Sequence, residues 1–140
     1  MNDCIFCKII SREIPSHKVY EDDHCVAFLD NKPTVKGHTL VVPKAHYENI
    51  LETPVEDLLN TMEAVKKVAR AAMKAVEAVA FNIGINTGSD AGQIIFHMHI
   101  HILPRSAGDG RKLWVGEEAT NEELAELAEK IKEQLTGNRD

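Results

Sequence analysis

Apolar and polar residues alternate most strictly in Phe96-His97-Met98-His99-Ile100-His101-Ile102-Leu103-Pro104. Here Phe96, Met98, Ile100 and Ile102 interleave with three histidines. A period of two predicts a strand with one apolar face and one face carrying three imidazoles. Shorter runs predict strands at 18–21 and 24–30, joined as a hairpin through Asp22-Asp23, a strand over 38–42 between Gly37 and Pro43, and another over 80–86. In the middle of the chain the period changes. Val55, Leu58, Leu59, Met62, Val65, Ala69, Ala72, Val76 and Val79 recur at helical spacing and predict one long, core-facing helix. Thr53-Pro54-Val55-Glu56 supplies its start, with a capping hydroxyl, a first-turn proline and a capping-box glutamate. Residues 4–10 predict a short helix that sets Cys4 and Cys7 about one turn apart. A last helix is expected over about 121–136, introduced by Thr120, with Leu124, Ala128, Ile131 and Leu135 on one face and Gly137 as its stop. Strands in hairpin order with one long helix crossing between them predict an α+β fold built on a largely antiparallel, five-stranded sheet.

A length of 140 residues and a hydrophobic content of 44% fit a single domain over 1–140, with its core in about 4–105. The net charge of −6 argues against binding to nucleic-acid backbones, which needs a basic surface. No basic start precedes an apolar stretch and no run approaches a membrane span, so a cytoplasmic protein without a membrane partner is expected. Three cysteines, two of them in Cys4-Ile5-Phe6-Cys7, do not form a disulfide framework.

Imidazole can act as base, nucleophile or metal ligand near neutral pH. Two neighbouring histidines of the row can share a metal. At a rise of ~3.3 Å per residue the outer two lie ~13 Å apart, too far for all three to bind one ion. The turn Gly88-Ser89-Asp90-Ala91-Gly92-Gln93 precedes the row, and backbone amides in such a turn can cradle a phosphate. Together they suggest a phosphate held where a histidine can attack it.

The stretch Gln93-Ile94-Ile95-Phe96-His97-Met98-His99-Ile100-His101-Ile102-Leu103-Pro104 resembles the signature of the histidine triad (HIT) family of nucleotide-binding proteins. So do Cys4-Ile5-Phe6-Cys7, Phe28-Leu29-Asp30, Gly37-His38-Thr39-Leu40-Val41-Val42-Pro43-Lys44, Asn86 and the Gly88–Gly92 turn. The resemblance covers residues 4 to about 105 and implies the HIT-like fold. It also implies a hydrolase or transferase acting on the α-phosphate of a nucleotide. His99 then falls on the nucleophile, forming a nucleotidyl-histidine that water hydrolyses, and His101 assists at the phosphate or leaving group. Asp30 falls on the ribose contact beside Asn31, Phe28 lines the base pocket, and His38, Asn86, Gly92 and Gln93 support the nucleophile or the phosphate. Relatives often carry Ser or Thr at the position of Ile94, whose side chain has no hydroxyl to offer.

For the Cys-x-x-Cys, a redox pair and an idle pair of thiols are alternatives to a metal site. The resemblance implies the metal. Zinc-binding relatives combine the two cysteines with a histidine after the Pro-Lys strand end and with the first triad histidine, which makes Cys4, Cys7, His46 and His97 the expected ligands of a closed structural zinc. Cys25 reads as a buried core residue. His17 and His24 read as surface residues, and Trp114 lies in a segment that relatives use near the substrate or the dimer partner. The leading expectation is a hydrolase of purine nucleoside 5′-phosphoramidates or acyl-adenylates. A dinucleoside polyphosphate hydrolase and a nucleotide-binding regulator with little turnover are the alternatives. The hexose-1-phosphate uridylyltransferase branch is disfavoured because it replaces the third histidine with glutamine. The resemblance implies a homodimer.

Overall fold

A computed structural model describes residues 3–112 and 114–137. Its first compact unit, Met1–Asp109, contains α1 (Ile5–Ile10), β1 (Lys18–Glu21), β2 (Cys25–Leu29), β3 (Thr39–Pro43), α2 (Val55–Ala75), β4 (Ala80–Gly84) and β5 (Ile100–Arg105). The strands form one sheet in the order β1-β2-β3-β5-β4, and every neighbouring pair is antiparallel. The second unit, Gly110–Asp140, holds α3 (Asn121–Gly137), on which Leu124, Leu127, Ile131 and Leu135 are exposed. Its start is a capping box: the Glu123 N–H donates to Thr120 Oγ1 and the Thr120 N–H to Glu123 Oε1. Trp114, also in this unit, is exposed.

Alternation along the strands divides the core in two. Cys25, Ala27, Val41, Ile100 and Ile102 point to one face and pack with Ala64, Val65, Val68 and Ala69 of α2. Val26, Phe28, Leu40 and Val42 point to the other and pack with Phe6 of α1. The parity that sends Ile100 and Ile102 toward α2 sends His99 and His101 to the α1 face. Gly37, at φ +89°, turns the chain into β3 in a conformation L side chains rarely adopt.

Three details depart from the sequence pattern. The α2 stripe is only partly core, since Val55, Leu59 and Val79 are exposed. The buried face is instead built around Thr61, Ala64, Val65, Val68 and Ala69, small side chains that let the helix lie close to the sheet. Thr53 does not cap α2: Pro54 occupies the cap position, and the Thr53 hydroxyl donates to the Asn49 carbonyl at 2.8 Å. The preceding 3₁₀ turn at Ile50–Glu52 draws the hydroxyl backward. Finally, the histidine strand begins only at Ile100. Residues 95–97 form a bend, and Phe96 is exposed rather than part of the apolar face.

Candidate functional site

The bend at 95–97 divides the histidine row. Pro43 ends β3, and its carbonyl accepts a hydrogen bond from His97 Nε2 at 2.8 Å. A carbonyl only accepts, so His97 carries its proton on Nε2 and its lone pair on Nδ1. That Nδ1 lies 3.4 Å from Cys4 Sγ, 3.6 Å from Cys7 Sγ and 3.1 Å from His46 Nδ1, and Cys7 Sγ lies 3.4 Å from His46 Nδ1. One ligand atom from each of the four residues falls within 4.8 Å of all the others. Tetrahedral zinc with bonds of about 2.3 Å to sulfur and about 2.05 Å to nitrogen requires S–N edges of about 3.6 Å and N–N edges of about 3.3 Å. The cluster therefore has the size and donor set of a closed zinc site, and the His97–Pro43 bond supplies the outer contact that orients a ligating imidazole. Burial, then a hydrogen bond and charge repulsion from Cys4, push the Cys7 thiol up to about 11, so two thiolates here call for a cation between them.

His99 is buried, and its Nδ1–H donates to the His97 carbonyl at 2.7 Å. Its lone pair is therefore on Nε2. The Phe6 ring stands edge-on to it, centroids 5.0 Å apart and planes at 86°, and also packs against Phe28 at 5.4 Å. Burial pushes His99 below the ordinary imidazole value, which keeps it neutral at pH 7. His38 and His101 form a second chain of bonds. The Thr34 N–H donates to His38 Nδ1 at 3.0 Å, so His38 is protonated at Nε2 and donates to His101 Nδ1 at 2.9 Å. The His101 proton must then sit on Nε2, a buried N–H without a hydrogen-bond partner. Desolvation, then the neighbouring His99 and His38, bring His101 down to about 4. Asp30 lies 3.7 Å from His38 Nε2 through Oδ2, while its Oδ1 accepts from the Lys32 N–H.

Asp30, His99 and His101 face a cleft of about 520 Å³, with His38 behind His101. Phe28, Asp30, Asn31, Gly92, Ile94, His99 and His101 line it, so most of the expected nucleotide-site residues come together there. Ile5, Phe6 and Ile9 of α1 and Leu40 add apolar walls, and Ser16 and His17 a polar stretch of rim. Ile94 stands at the mouth, 83% exposed.

Gln93 and Asn86 are placed differently. The Gln93 amide is buried in its own loop, with Oε1 accepting from the Gly88 N–H and Nε2 donating to the Glu48 and Ile95 carbonyls. Asn86 Nδ2 reaches the Gly92 carbonyl at 3.5 Å. Four amides of the turn are already taken up inside it. The N–H groups of Gly88, Ala91, Gly92 and Gln93 all donate within it, because a 3₁₀ turn at Ser89–Ala91 closes the loop on itself. Several cleft residues escaped the sequence reading, Phe6 and His17 among them. Phe6 was visible only as the residue between two cysteines, and His17, though exposed, lines the cleft because the chain from α1 to β1 runs along its rim. Cys25 is buried as expected, its thiol 3.6 Å from Thr61 Oγ1, and His24 is exposed.

A profile of the HIT domain matches residues 11–108. The chain belongs to the histidine triad family. It is 49% identical to an uncharacterised HIT-like protein of Methanocaldococcus jannaschii, over 92% of this chain and 98% of that one. It is 46% identical to an adenylylsulfatase of Arabidopsis thaliana over 83% of this chain and 58% of that one. With an adenosine 5′-monophosphoramidase of Saccharomyces cerevisiae it shares 35% identity over 96% of this chain and 84% of that one. Among solved structures, a Streptococcus mutans protein superposes with TM-score 0.90 at 45% identity, covering 96% of this chain and 87% of that chain. A zinc-bound histidine triad family protein of Mycobacterium smegmatis superposes with TM-score 0.75 at 36% identity, covering 97% of each. Among the described residues no helix is long and apolar enough to cross a membrane.

Proposed function

We propose that the cleft binds a purine nucleoside 5′-phosphoramidate or acyl-adenylate and hydrolyses it through a nucleotidyl-histidine on His99. The observation that carries this reading is the tautomer of His99. With Nδ1–H fixed on the His97 carbonyl, the Nε2 lone pair is free to attack phosphorus. As the new P–N bond forms, positive charge develops on the imidazole and strengthens the bond from Nδ1–H to that carbonyl. The unpartnered Nε2–H of His101 is the donor available to a phosphoryl oxygen or to the departing atom, and His38 holds it in that tautomer. Phe28 receives the base and Asp30, beside Asn31, the ribose. Asn86, Gly92 and Gln93 shape the loop that closes the phosphate end, with Ile94 at its lip. Water then attacks phosphorus, the P–N bond breaks, and a nucleoside monophosphate leaves.

The names of the yeast and plant relatives, a phosphoramidase and an adenylylsulfatase, both describe breakdown of an adenylyl derivative, which supports this substrate class. A dinucleoside polyphosphate hydrolase uses the same attack with a larger leaving group. Nucleotide binding with little turnover is a second reading, favoured by Ile94, whose exposed apolar side chain stands where relatives often carry a hydroxyl.

The same reading puts a structural zinc on Cys4, Cys7, His46 and His97, supported by the zinc-bound relative. It expects a homodimer, supported by β4, a sheet edge with Phe81 and Ile83 exposed, and a cytoplasmic location that keeps the ligand thiols reduced. Incubation with adenosine 5′-phosphoramidate, diadenosine polyphosphates and AMP, followed by mass spectrometry, tests the reading. Turnover with an adenylylated His99 is expected. Tight AMP binding without turnover of any substrate establishes the binding module instead, and a monomer in light scattering refutes the dimer.

A further inference from the structure

We propose that His97 is a positioning residue for His99, so that a metal ion held by Cys4, Cys7, His46 and His97 sets the orientation of the nucleophile as well as tying down the N-terminus. The inference rests on the reading of His99 as the nucleophile. His97 is fastened at three points: Nδ1 in the four-residue cluster, Nε2–H on the Pro43 carbonyl, and its own carbonyl on His99 Nδ1–H. The third contact selects the reactive tautomer. No sheet ladder holds it, because β5 begins at Ile100 and residues 95–97 form a bend. The backbone of the bend is anchored instead by the Met98 N–H on the Tyr47 carbonyl and by Gln93 Nε2 on the Ile95 carbonyl. The ring of His97 is the remaining clamp.

A second link runs from the same cluster. Phe6 lies between the two cysteines, is buried, and stands against both His97 at 5.9 Å and His99 at 5.0 Å. One edge and one flank of the nucleophile are thus set by residues belonging to the metal-binding segments. Asp30 and the backbone of Phe28, by contrast, sit on or next to β2, whose ladders to β1 and β3 hold them, and only the Phe28 ring meets the metal-binding segment, through Phe6 at 5.4 Å. Opening the cluster frees the His97 carbonyl to move, and the proton of His99 is then no longer confined to Nδ1. With the proton on Nε2 there is no lone pair to attack phosphorus. The expected signature is a loss in the chemical step with little loss in nucleotide affinity.

The test compares full-length protein loaded with zinc, loaded with cadmium, and stripped by a chelator. Nitrogen-15 NMR of the imidazoles reads the His99 tautomer, single turnover of adenosine 5′-phosphoramidate reads the chemical step, and AMP titration reads affinity. With zinc, a single tautomer protonated at Nδ1 is expected. In stripped protein both tautomers exchange, single turnover slows on the order of 10- to 10²-fold, and AMP affinity changes by less than about threefold. His46→Cys keeps four ligands and is expected to retain metal, tautomer and rate, whereas His46→Ala loses all three. Where stripping unfolds the chain, the cadmium form decides. The larger ion widens the closed cluster and moves His97 Nδ1, so the His99 resonances and the single-turnover rate both shift. Identical tautomer and rate across zinc and cadmium, or across zinc and folded stripped protein, overturn the proposal. A His99 tautomer that follows the metal while turnover survives His99→Ala keeps the positioning link and overturns the nucleophile reading.

Discussion

At Cys4, Cys7, His46 and His97 four ligand atoms converge within 4.8 Å, whereas at His38, His99 and His101 each ring is bonded in series to a neighbour. Both groups use imidazoles on the α1 face of the same sheet, and His97 and His99 are two residues apart. What separates them is the partner of each ring's second nitrogen. His97 gives its proton to the Pro43 carbonyl and turns its lone pair toward two sulfurs. His99 gives its proton to the His97 carbonyl and turns its lone pair toward the cleft. Convergent lone pairs make a cation site, and lone pairs matched singly with N–H groups make a chain of defined tautomers with one free acceptor and one free donor. Residue type does not distinguish the proposed ligand from the proposed nucleophile; the placement of a backbone carbonyl does.

The sharpest way to break this comparison is His99→Ala. Adenosine 5′-phosphoramidate turnover is expected to fall at least about 10³-fold, with the adenylylated protein absent from mass spectra and metal content unchanged. Cys7→Ser acts on the other cluster. Metal content is expected to fall and the melting temperature, by calorimetry, to drop by about 10 °C or more, because metal affinity is also folding free energy. His38→Ala removes the donor that fixes His101 and is expected to lower kcat by about 10- to 10²-fold at unchanged metal stoichiometry.

Acid presses on both groups, since burial holds His97 as well as His101 at about 4. His101 is held at about 4 against an ordinary 6.5, so between those values the unfolded chain binds a proton that the folded chain does not. Its contribution to stability is complete above pH 6.5 and is lost as the pH falls through about 4. Melting temperatures measured from pH 7.5 down to 4 are expected to decline over that interval, and His101→Gln to remove its share of the decline while that of His97 stays. The smallest effect is expected at the lip of the cleft, where Ile94→Ser restores a hydroxyl and raises phosphoramidate turnover by up to about tenfold.

Much of this was legible in the chain. Strand-like runs between turn residues marked all five strands, and their hairpin order carried the antiparallel sheet that the structure has. The zinc-type cluster was legible only through family resemblance, since nothing local ties His46 to Cys7 across 39 positions. What remained hidden depended on backbone atoms from distant residues. The histidine row looks like one uninterrupted strand because its side chains alternate throughout. The ladder starts late because beyond Val41 the partner strand meets Pro43, whose carbonyl accepts from a ring rather than from a strand N–H. Spacing along the glycine turn does not reveal that the amides of Gly88, Ala91, Gly92 and Gln93 already donate to Gly88, Ser89 and Gln93. The α2 stripe overstated the core because periodicity fixes which residues share a face, not which part of that face meets the sheet.

The strict alternation from Met98 to Ile102 has a consequence for how the chain can change over time. Deleting or inserting one residue there would turn Ile100 and Ile102 into the cleft and imidazoles into the layer beneath α2, removing the chemistry and wrecking the core in one event. Only paired length changes keep the two faces apart, and a pair placed between His97 and His99 would break the bond from His99 Nδ1–H to the His97 carbonyl. The loop before this segment, where Ile94 stands exposed, lies outside that constraint and can change without altering the spacing of the three histidines.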